Sequence, residues 1–184
     1  MAPALNLQAS DFELFGLPEQ FAQEASAIDA QWKLLLREAH PDRFAAQGAA
    51  AQRVAMQWAV RINEAHKRLK DPLQRAVYLC ERWGAAVNAE VNTAMPADFL
   101  MQQMAWREEL EDAGNDIDTL DDLLQRTRTA RQQRLTQIAA CLDGGDGVAD
   151  SHQRAVQAAG HVRALMFIER FSSEISQRLA QLDA

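Results

Sequence analysis

Apolar side chains recur every three or four residues along most of this 184-residue chain, and no other feature limits its fold as strongly. Residues three and four apart share one side of an α-helix, so each series predicts an amphipathic helix. Only eight Gly and five Pro interrupt the chain, and no alternating strand pattern is present. The sequence therefore predicts an all-α protein. The two clearest series are Phe21, Ala25, Ile28, Trp32, Leu35 and Ala39, then Val54, Trp58, Ile62, Ala65 and Leu69.

The first series predicts a helix over 19–39, and the second predicts the helix after it. Asp71-Pro72 ends the helix of the second series, and Pro72 suits the first turn of a short helix that follows it. Three longer helices follow, joined by short turns of the kind that connect neighbours in a bundle. We predict them over 97–113, 117–142 and 149–182.

Charge is distributed unevenly between the two halves of the chain. Residues 1–84 carry ten Lys and Arg against ten Asp and Glu, whereas residues 85–184 carry nine against sixteen. Such an asymmetry favours two separate units. We therefore predict a first domain over 1–84, a connector over 85–96 and a three-helix bundle over 97–184.

Composition argues against several classes of function. The net charge of −7 disfavours a nucleic-acid binder, which needs a basic surface. No apolar run approaches the roughly 20 residues that span a bilayer, and the N-terminus lacks a secretory signal, so we expect a cytoplasmic protein without a membrane partner. Cys80 and Cys141 form no CxxC pair, which argues against a zinc cluster or a disulfide framework. No metal or cofactor is implied.

A His-Pro-Asp sequence, His40–Asp42, lies between the two predicted amphipathic helices. Proline fixes its own φ angle and disfavours a helical residue before it, so Pro41 ends the preceding helix. We predict a loop over 40–49 that presents His40 and Asp42. Polar groups in a restrained loop bind a partner at a low cost in conformational entropy. The residues thus indicate a recognition loop at the tip of a helical hairpin.

This arrangement resembles the J-domain family, in which a His-Pro-Asp loop joins two antiparallel helices flanked by short helices. The resemblance implies docking on an ATP-hydrolysing chaperone of the DnaK class. It gives His40, Pro41 and Asp42 the role of stimulating ATP hydrolysis. It also implies electrostatic docking by the nearby basic residues Lys33, Arg37 and Arg43.

The helix predicted over 97–113 has more apolar residues than one bundle face requires. Phe99, Trp106 and Leu110 share a face that can enter a core, whereas other apolar residues point away from it: Leu100, Met101 and Met104. In the last helix, Phe167 is about 200° from Leu165, a predicted core residue. An exposed apolar patch formed by such residues usually binds a partner, and methionine suits an adaptable surface. The alternative is that these residues pack against the first domain.

The resemblance extends over both halves of the chain and identifies it with the HscB family of J-domain co-chaperones. The matching segments are Phe12–Pro18, Pro72–Leu79, Phe99–Met101 and Arg107–Leu110. It implies an L-shaped molecule whose bundle binds the iron–sulfur cluster scaffold IscU and delivers it to the chaperone HscA. Ala105 stands where an acidic residue is common on that surface. The family's scaffold-binding positions fall on Leu100, Met101, Met104, Glu108 and Phe167.

The leading prediction is therefore a co-chaperone that is not itself an enzyme. A second interpretation keeps the J-domain but gives the protein a different dedicated client. A third is an enzyme that uses His40 and Asp42 as an acid–base pair, for which the sequence offers no phosphate loop, nucleophile or metal set. Alanine at Leu100, Met104 and Phe167 separates the first two interpretations, because it should weaken scaffold binding without unfolding the chain if these residues are exposed.

Overall fold

A computed structural model describes residues 8–87, 94–144 and 151–182, and within these ranges it contains helices and no strand. The all-α prediction is confirmed. Parts of the predicted connector at 85–96, of the turn at 143–147 and of the helix start at 149 lie outside the described residues. The elements are α1 (Asp11–Phe15), α2 (Ala25–Glu38), a 3₁₀ helix (Pro41–Gln47), α3 (Ala49–Lys70), α4 (Pro72–Arg82), α5 (Ala97–Ala113), α6 (Ile117–Asp143) and α7 (Ser151–Leu182).

Contacts along the chain divide it into two compact units, with the boundary between Tyr78 and Leu79. This boundary lies inside α4 and precedes the connector predicted at 85–96. The first unit contains α1, α2, the 3₁₀ helix, α3 and the start of α4. The second contains the end of α4 together with α5, α6 and α7.

An antiparallel hairpin of α2 and α3 forms the body of the first unit. The buried faces follow the predicted apolar series at Ile28 and Leu35 on α2 and at Ile62 and Leu69 on α3, whereas Ala25 and Val54 of those series are exposed. The two helices run antiparallel, because residues further along α2 contact residues earlier along α3. Near the open end His66 Nε2 lies 2.7 Å from an Asp29 oxygen, and one turn closer to the tip Trp32 Nε1 donates to Asn63 Oδ1 at 2.8 Å. The hairpin thus places 40–47 at its tip.

Two local predictions in this unit are wrong. α2 begins at Ala25 instead of Glu19, because the chain before it turns back on itself. The side chain of Gln23 donates there to the carbonyls of Pro18 and Gln20, while Phe21 is buried outside any helix. The segment predicted as a loop over 40–49 contains the 3₁₀ helix, since Pro41 occupies a first-turn position where its missing N–H costs nothing.

The short helix α1 is held by its caps and by a buried ion pair. Ser10 and Glu13 form a reciprocal capping box at its start. Asp11 is fully buried, and its carboxylate accepts from Arg68 at 2.7 Å while the guanidinium of Arg61 pairs with its other oxygen. Both arginines belong to the C-terminal half of α3, so the ion pair fixes α1 against that part of the hairpin. An unpaired buried carboxylate would be strongly destabilising.

The second unit is a bundle of α5, α6 and α7, with α6 and α7 making its most extensive contact. Full burial of a large apolar side chain contributes about 1.5–3 kcal/mol, so each large residue of this core stabilises the unit. Arg163 of α7 donates to the carbonyls of Val87 and Ala94 and so joins the chain before α5 to the bundle. The core includes Phe99, Trp106, Leu110, Leu120, Leu123, Ile168, Phe171 and Ile175.

Both cysteines lie in helices as free thiols. Cys80 is fully buried beside the carbonyl of Ala155, and burial raises the pKa of its thiol to about 12. Burial also raises the pKa of Cys141. Thiolate is the reactive form of cysteine, and burial disfavours that form at both positions. Separately, no helix within the described ranges is both long and apolar enough to cross a membrane.

Candidate functional sites

The His-Pro-Asp loop, His40–Asp42, lies at the tip of the α2–α3 hairpin. His40 is the N-cap of the 3₁₀ helix, and its Nδ1 accepts the backbone N–H of Asp42 at 3.3 Å. In the tautomer that accepts this bond, the lone pair is on Nδ1 and Nε2 carries the proton. The Asp42 carboxylate lies 3.6 Å from the same Nδ1 and is 90% exposed. The loop therefore presents an imidazole and a carboxylate in a geometry fixed by its own backbone.

Basic side chains surround this loop on the last turns of α2. Lys33 and Arg37 are exposed one turn apart, on the same side of the helix. Arg43 Nη1 donates to the carbonyl of Arg37 at 3.3 Å, so a guanidinium covers the C-terminal end of α2. A cation there is favoured by the helix dipole. The structure thus brings the three loop residues together with Arg37 and Arg43 at the tip of the hairpin, and Lys33 lies one turn before Arg37 on α2.

The second candidate site is the α5 apolar face, made of Leu100, Met101 and Met104. Their side chains are 42%, 77% and 74% exposed, respectively. Phe99, Trp106 and Leu110 on the opposite side of α5 are almost completely buried. The helical spacing predicted this division, because a helix packed along one stripe leaves its other side in water. Three large apolar side chains in contiguous exposure are typical of a binding surface.

Phe167 departs from its predicted exposure. It is half-buried, stacked on Phe171 with ring centroids 5.6 Å apart and set edge-on to Phe99 at 5.7 Å. The predicted exposure of Phe167 assumes that Leu165 lies at the centre of the buried arc of α7. The face of α7 that contacts α5 includes Phe171. Around the helix axis, Phe171 lies closer to Phe167 than to Leu165. Phe167 is therefore the edge of the core beside the α5 apolar face.

An acidic groove continues from the α5 apolar face toward the end of α5. It encloses about 490 Å³ and includes the exposed Glu108, which the family resemblance assigned to the scaffold surface. Ala105 lies at its apolar end, so the departure from the family pattern removes one carboxylate where the groove meets the apolar face. Glu109 pairs with Arg126 of α6, which closes one side. The remaining lining residues are Asp112, Ala113, Asp116 and Thr119.

A functional candidate that the sequence analysis missed is Arg107, which lies between the α5 apolar face and Phe167. Its guanidinium carbon is 5.4 Å from the Phe167 ring centroid and 5.1 Å from that of Phe171. Its Nη1 donates to Glu174 Oε2 at 2.8 Å. Glu174 is 67 residues away in the chain, so sequence spacing carried no signal for this contact.

The other histidines lie apart from the His-Pro-Asp loop. His66, near the open end of the hairpin, stacks on Trp32 with ring centroids 4.5 Å apart and contacts the Asp29 carboxylate, so it joins α2 to α3. His161 on α7 lies 3.1 Å from a guanidinium nitrogen of Arg134, which also donates to Asp98. Arginine only donates hydrogen bonds, so the facing Nδ1 of His161 is an acceptor. Burial and the charge of Arg134 lower the pKa of this imidazole.

Comparison with known proteins places these sites in a family context. Residues 95–176 match the family model described as the HSCB C-terminal oligomerisation domain. The chain is 49% identical over 181 residues to the "Co-chaperone protein HscB homolog" of Paraburkholderia xenovorans (strain LB400), covering 97% of this chain and 98% of that relative. The relative of the same name from Burkholderia mallei (strain SAVP1) is 48% identical over the same length.

Solved structures give the same result for the fold. The chaperone HscB from Vibrio cholerae superposes with a TM-score of 0.76 at 32% identity, covering 95% of this chain and 99% of that one. Human co-chaperone protein HscB gives 0.82 at 17% identity, covering 95% of this chain and 84% of that one, and shows likeness of fold alone. An N-terminal J-domain and a C-terminal helical domain thus follow in the same order in this chain. With nearly full-length identity close to one half, the chain belongs to the HscB family of co-chaperones.

Proposed function

We propose that this protein stimulates the ATPase of a DnaK/HscA-class chaperone and delivers to it the iron–sulfur cluster scaffold IscU, which aids cluster transfer and the maturation of iron–sulfur proteins. The observation that supports this most directly is the presence of two distinct surfaces. One unit presents the exposed, self-capped His-Pro-Asp loop, and the other presents the α5 apolar face. A protein that brings a client to a chaperone needs one surface for each.

The loop is suited to a chaperone contact because its geometry is set before binding. Pro41 restricts the backbone, and the bond from Asp42 N–H to His40 Nδ1 fixes the imidazole. The Nε2–H donor and the Asp42 carboxylate then meet a partner with little loss of entropy. Lys33, Arg37 and Arg43 supply positive charge that accelerates encounter with an acidic surface.

The α5 apolar face is suited to a protein client. Burial of each of its three side chains contributes at most about 1.5–3 kcal/mol before the costs of association are subtracted. The adjacent acidic groove, with Glu108 at its edge, favours a client surface in which basic groups border an apolar centre. When the scaffold is bound to this face and the chaperone to the loop, the effective concentration of the scaffold at the chaperone rises without any further contact.

In this proposal the protein is not an enzyme and acts in the cytoplasm, with no nucleic-acid or membrane partner. His40 and Asp42 serve recognition rather than acid–base catalysis. The other interpretation, a J-domain co-chaperone with a different client, shares the loop and differs only in what the α5 apolar face binds.

The role of the loop is tested with His40→Gln. We expect the variant to lose stimulation of the chaperone ATPase in single-turnover assays, because a longer, more flexible amide cannot reproduce the capped imidazole. Scaffold binding measured by calorimetry should be unchanged, since His40 belongs to the other unit. Equal stimulation by the variant and the parent would contradict the assignment.

The client is tested by calorimetric titration of the protein into purified apo-scaffold, with Leu100→Ala/Met101→Ala/Met104→Ala alongside. Phe167 is left intact because it belongs to the edge of the core. The matched control is Val54→Ala/Met56→Ala/Val60→Ala, which removes three residues of α3 that are all more than half exposed. We expect binding by the parent and the control and loss in the α5 variant. No binding by the parent would favour a different client.

A further inference from the structure

Arg107 is held by three groups of α7, although its side chain is 44% exposed. Its guanidinium lies over the stacked rings of Phe167 and Phe171 and pairs with Glu174 at 2.8 Å. Cation–π contacts of this kind are attractive even at exposed sites. A planar guanidinium placed between two rings and a carboxylate has little freedom to rotate, so Arg107 and Phe167 restrict one another.

Arg107 also continues the strip of side chains that forms the α5 apolar face. It follows Leu100 by seven residues and Met104 by three, and both spacings return to the same side of a helix. The edge of Phe167 therefore lies beside the α5 apolar face, with Arg107 over its ring. Phe167 thus adds an apolar group from α7 to the surface that a client would meet there.

We propose that Arg107 is a positioning residue for client binding: anchored by Glu174, it fixes Phe167 beside Leu100 and Met104 and so preorganises the composite surface. This inference rests on the proposed function, since it concerns the same surface. Without the guanidinium, a half-buried phenylalanine at the edge of a core regains rotamer freedom, and the client must order it on binding. The cost of ordering such a side chain at an interface is about 0.5–1.5 kcal/mol.

Two other roles would give Arg107 a different thermodynamic signature. A purely structural role, joining α5 to α7, predicts lower stability of the bundle with unchanged affinity in the folded variant. A direct contact with the client predicts a loss of affinity that does not depend on Phe167. A positioning role predicts a loss that disappears once Phe167 is replaced.

The test is a double-mutant cycle on calorimetric affinity for apo-scaffold, with Arg107→Ala, Phe167→Leu and the combined variant. We expect Arg107→Ala to weaken binding about three- to tenfold in the parent background. In the Phe167→Leu background we expect less than a twofold effect. Unchanged affinity in the first background, or an equal loss in both, would overturn the proposal.

Two further variants test whether the affinity lost in Arg107→Ala is due to the planar guanidinium and its anchor. Arg107→Lys keeps the charge but not the planar fork, so it should recover part of the affinity lost in Arg107→Ala. Glu174→Gln removes the anchor at the surface and should weaken binding in the same direction, even if Arg107→Ala fails to fold. Urea unfolding of each variant identifies any loss of affinity that is due only to a lower stability of the bundle.

Side-chain couplings measured by NMR on the free protein separate this proposal from the proposed function. We expect a single χ1 rotamer for Phe167 in the parent and an average over rotamers in Arg107→Ala. Failure of the parent to bind apo-scaffold would refute the choice of client, while the rotamer measurement would still decide whether Arg107 positions Phe167. An averaged Phe167 in the parent would overturn the positioning role.

Discussion

His161 ties the stability of the second unit to pH through one contact with Arg134. Its Nδ1 lies 3.1 Å from the guanidinium, and the groups that face it are Arg134 from α6 and Asp98 from α5. Protonation at Nδ1 would remove the acceptor and place two positive charges side by side. Burial and the charge of Arg134 therefore lower the pKa of His161 below its ordinary 6.5.

The resulting pH dependence has a definite sign. Between the folded-state pKa and about 6.5, the unfolded chain binds more protons than the folded one, so stability rises with pH in that window. The contribution is complete above about pH 6.5 and is lost as the pH falls toward the folded-state pKa. We expect urea unfolding to show a larger loss on acidification for the parent than for His161→Gln, whose amide oxygen remains an acceptor. An equal dependence of the unfolding free energy on pH in the two proteins would contradict this.

Single residues also show where sequence reasoning stops. The exposure of Leu100, Met101 and Met104 was predictable, because it depends only on the spacing within one helix. The half-buried state of Phe167 was not, since it depends on the direction from which α5 packs on α7. Arg107 belongs to a segment that matches the family, but its contacts gave no signal in the sequence, because its partners Phe171 and Glu174 meet it only after the bundle has formed.

At the scale of elements, two glycines illustrate opposite uses of the same residue. Gly16 ends α1 at φ +62°, a conformation that costs other residues about 1–2 kcal/mol. Gly160 lies inside α7 with ordinary helical geometry, and a methyl group there would approach Pro96 no closer than 3.8 Å. Helix interiors favour alanine over glycine by about 0.5–1 kcal/mol.

We therefore expect Gly16→Ala to lower the free energy of unfolding by about 1–2 kcal/mol and Gly160→Ala to raise it by about 0.5–1 kcal/mol. Denaturant unfolding followed by circular dichroism measures both. The two variants control for one another, because each adds a single methyl group near a helix. If the free energy of unfolding changed in the same direction in both variants, backbone geometry would not determine the effect.

Helices were predictable where apolar spacing and a clear stop coincide. α5 has the predicted bounds, and α6 differs by one residue at its end, because Gly114 and Gly144 follow their last turns. α2 was predicted six residues too long at its start, since Phe21 fits the helical series yet is buried from a turn. The 3₁₀ helix was missed because its stability depends on the His40 cap and on packing against α3.

At the scale of the whole molecule, the proposed function makes the two units interdependent in one assay although each binds its own partner. A His40→Gln protein in excess should hold the scaffold without stimulating the chaperone, and so inhibit scaffold-dependent stimulation by the parent. Adding Leu100→Ala/Met101→Ala/Met104→Ala to the His40→Gln protein should abolish this inhibition. Equal inhibition by both proteins would locate the competition at the chaperone and not at the scaffold.

Each unit buries an indole in its own core, Trp58 in the first and Trp106 in the second. Trp106 is stacked on Phe171 with centroids 5.8 Å apart, in the same aromatic cluster that supports Phe167. The chain also contains Trp32 and Trp83, so variants with Phe at three of the four tryptophan positions isolate the signal of one core. Emission from Trp106 alone then reports on the core that supports the proposed client surface, and emission from Trp58 alone reports on the core of the hairpin that carries the loop.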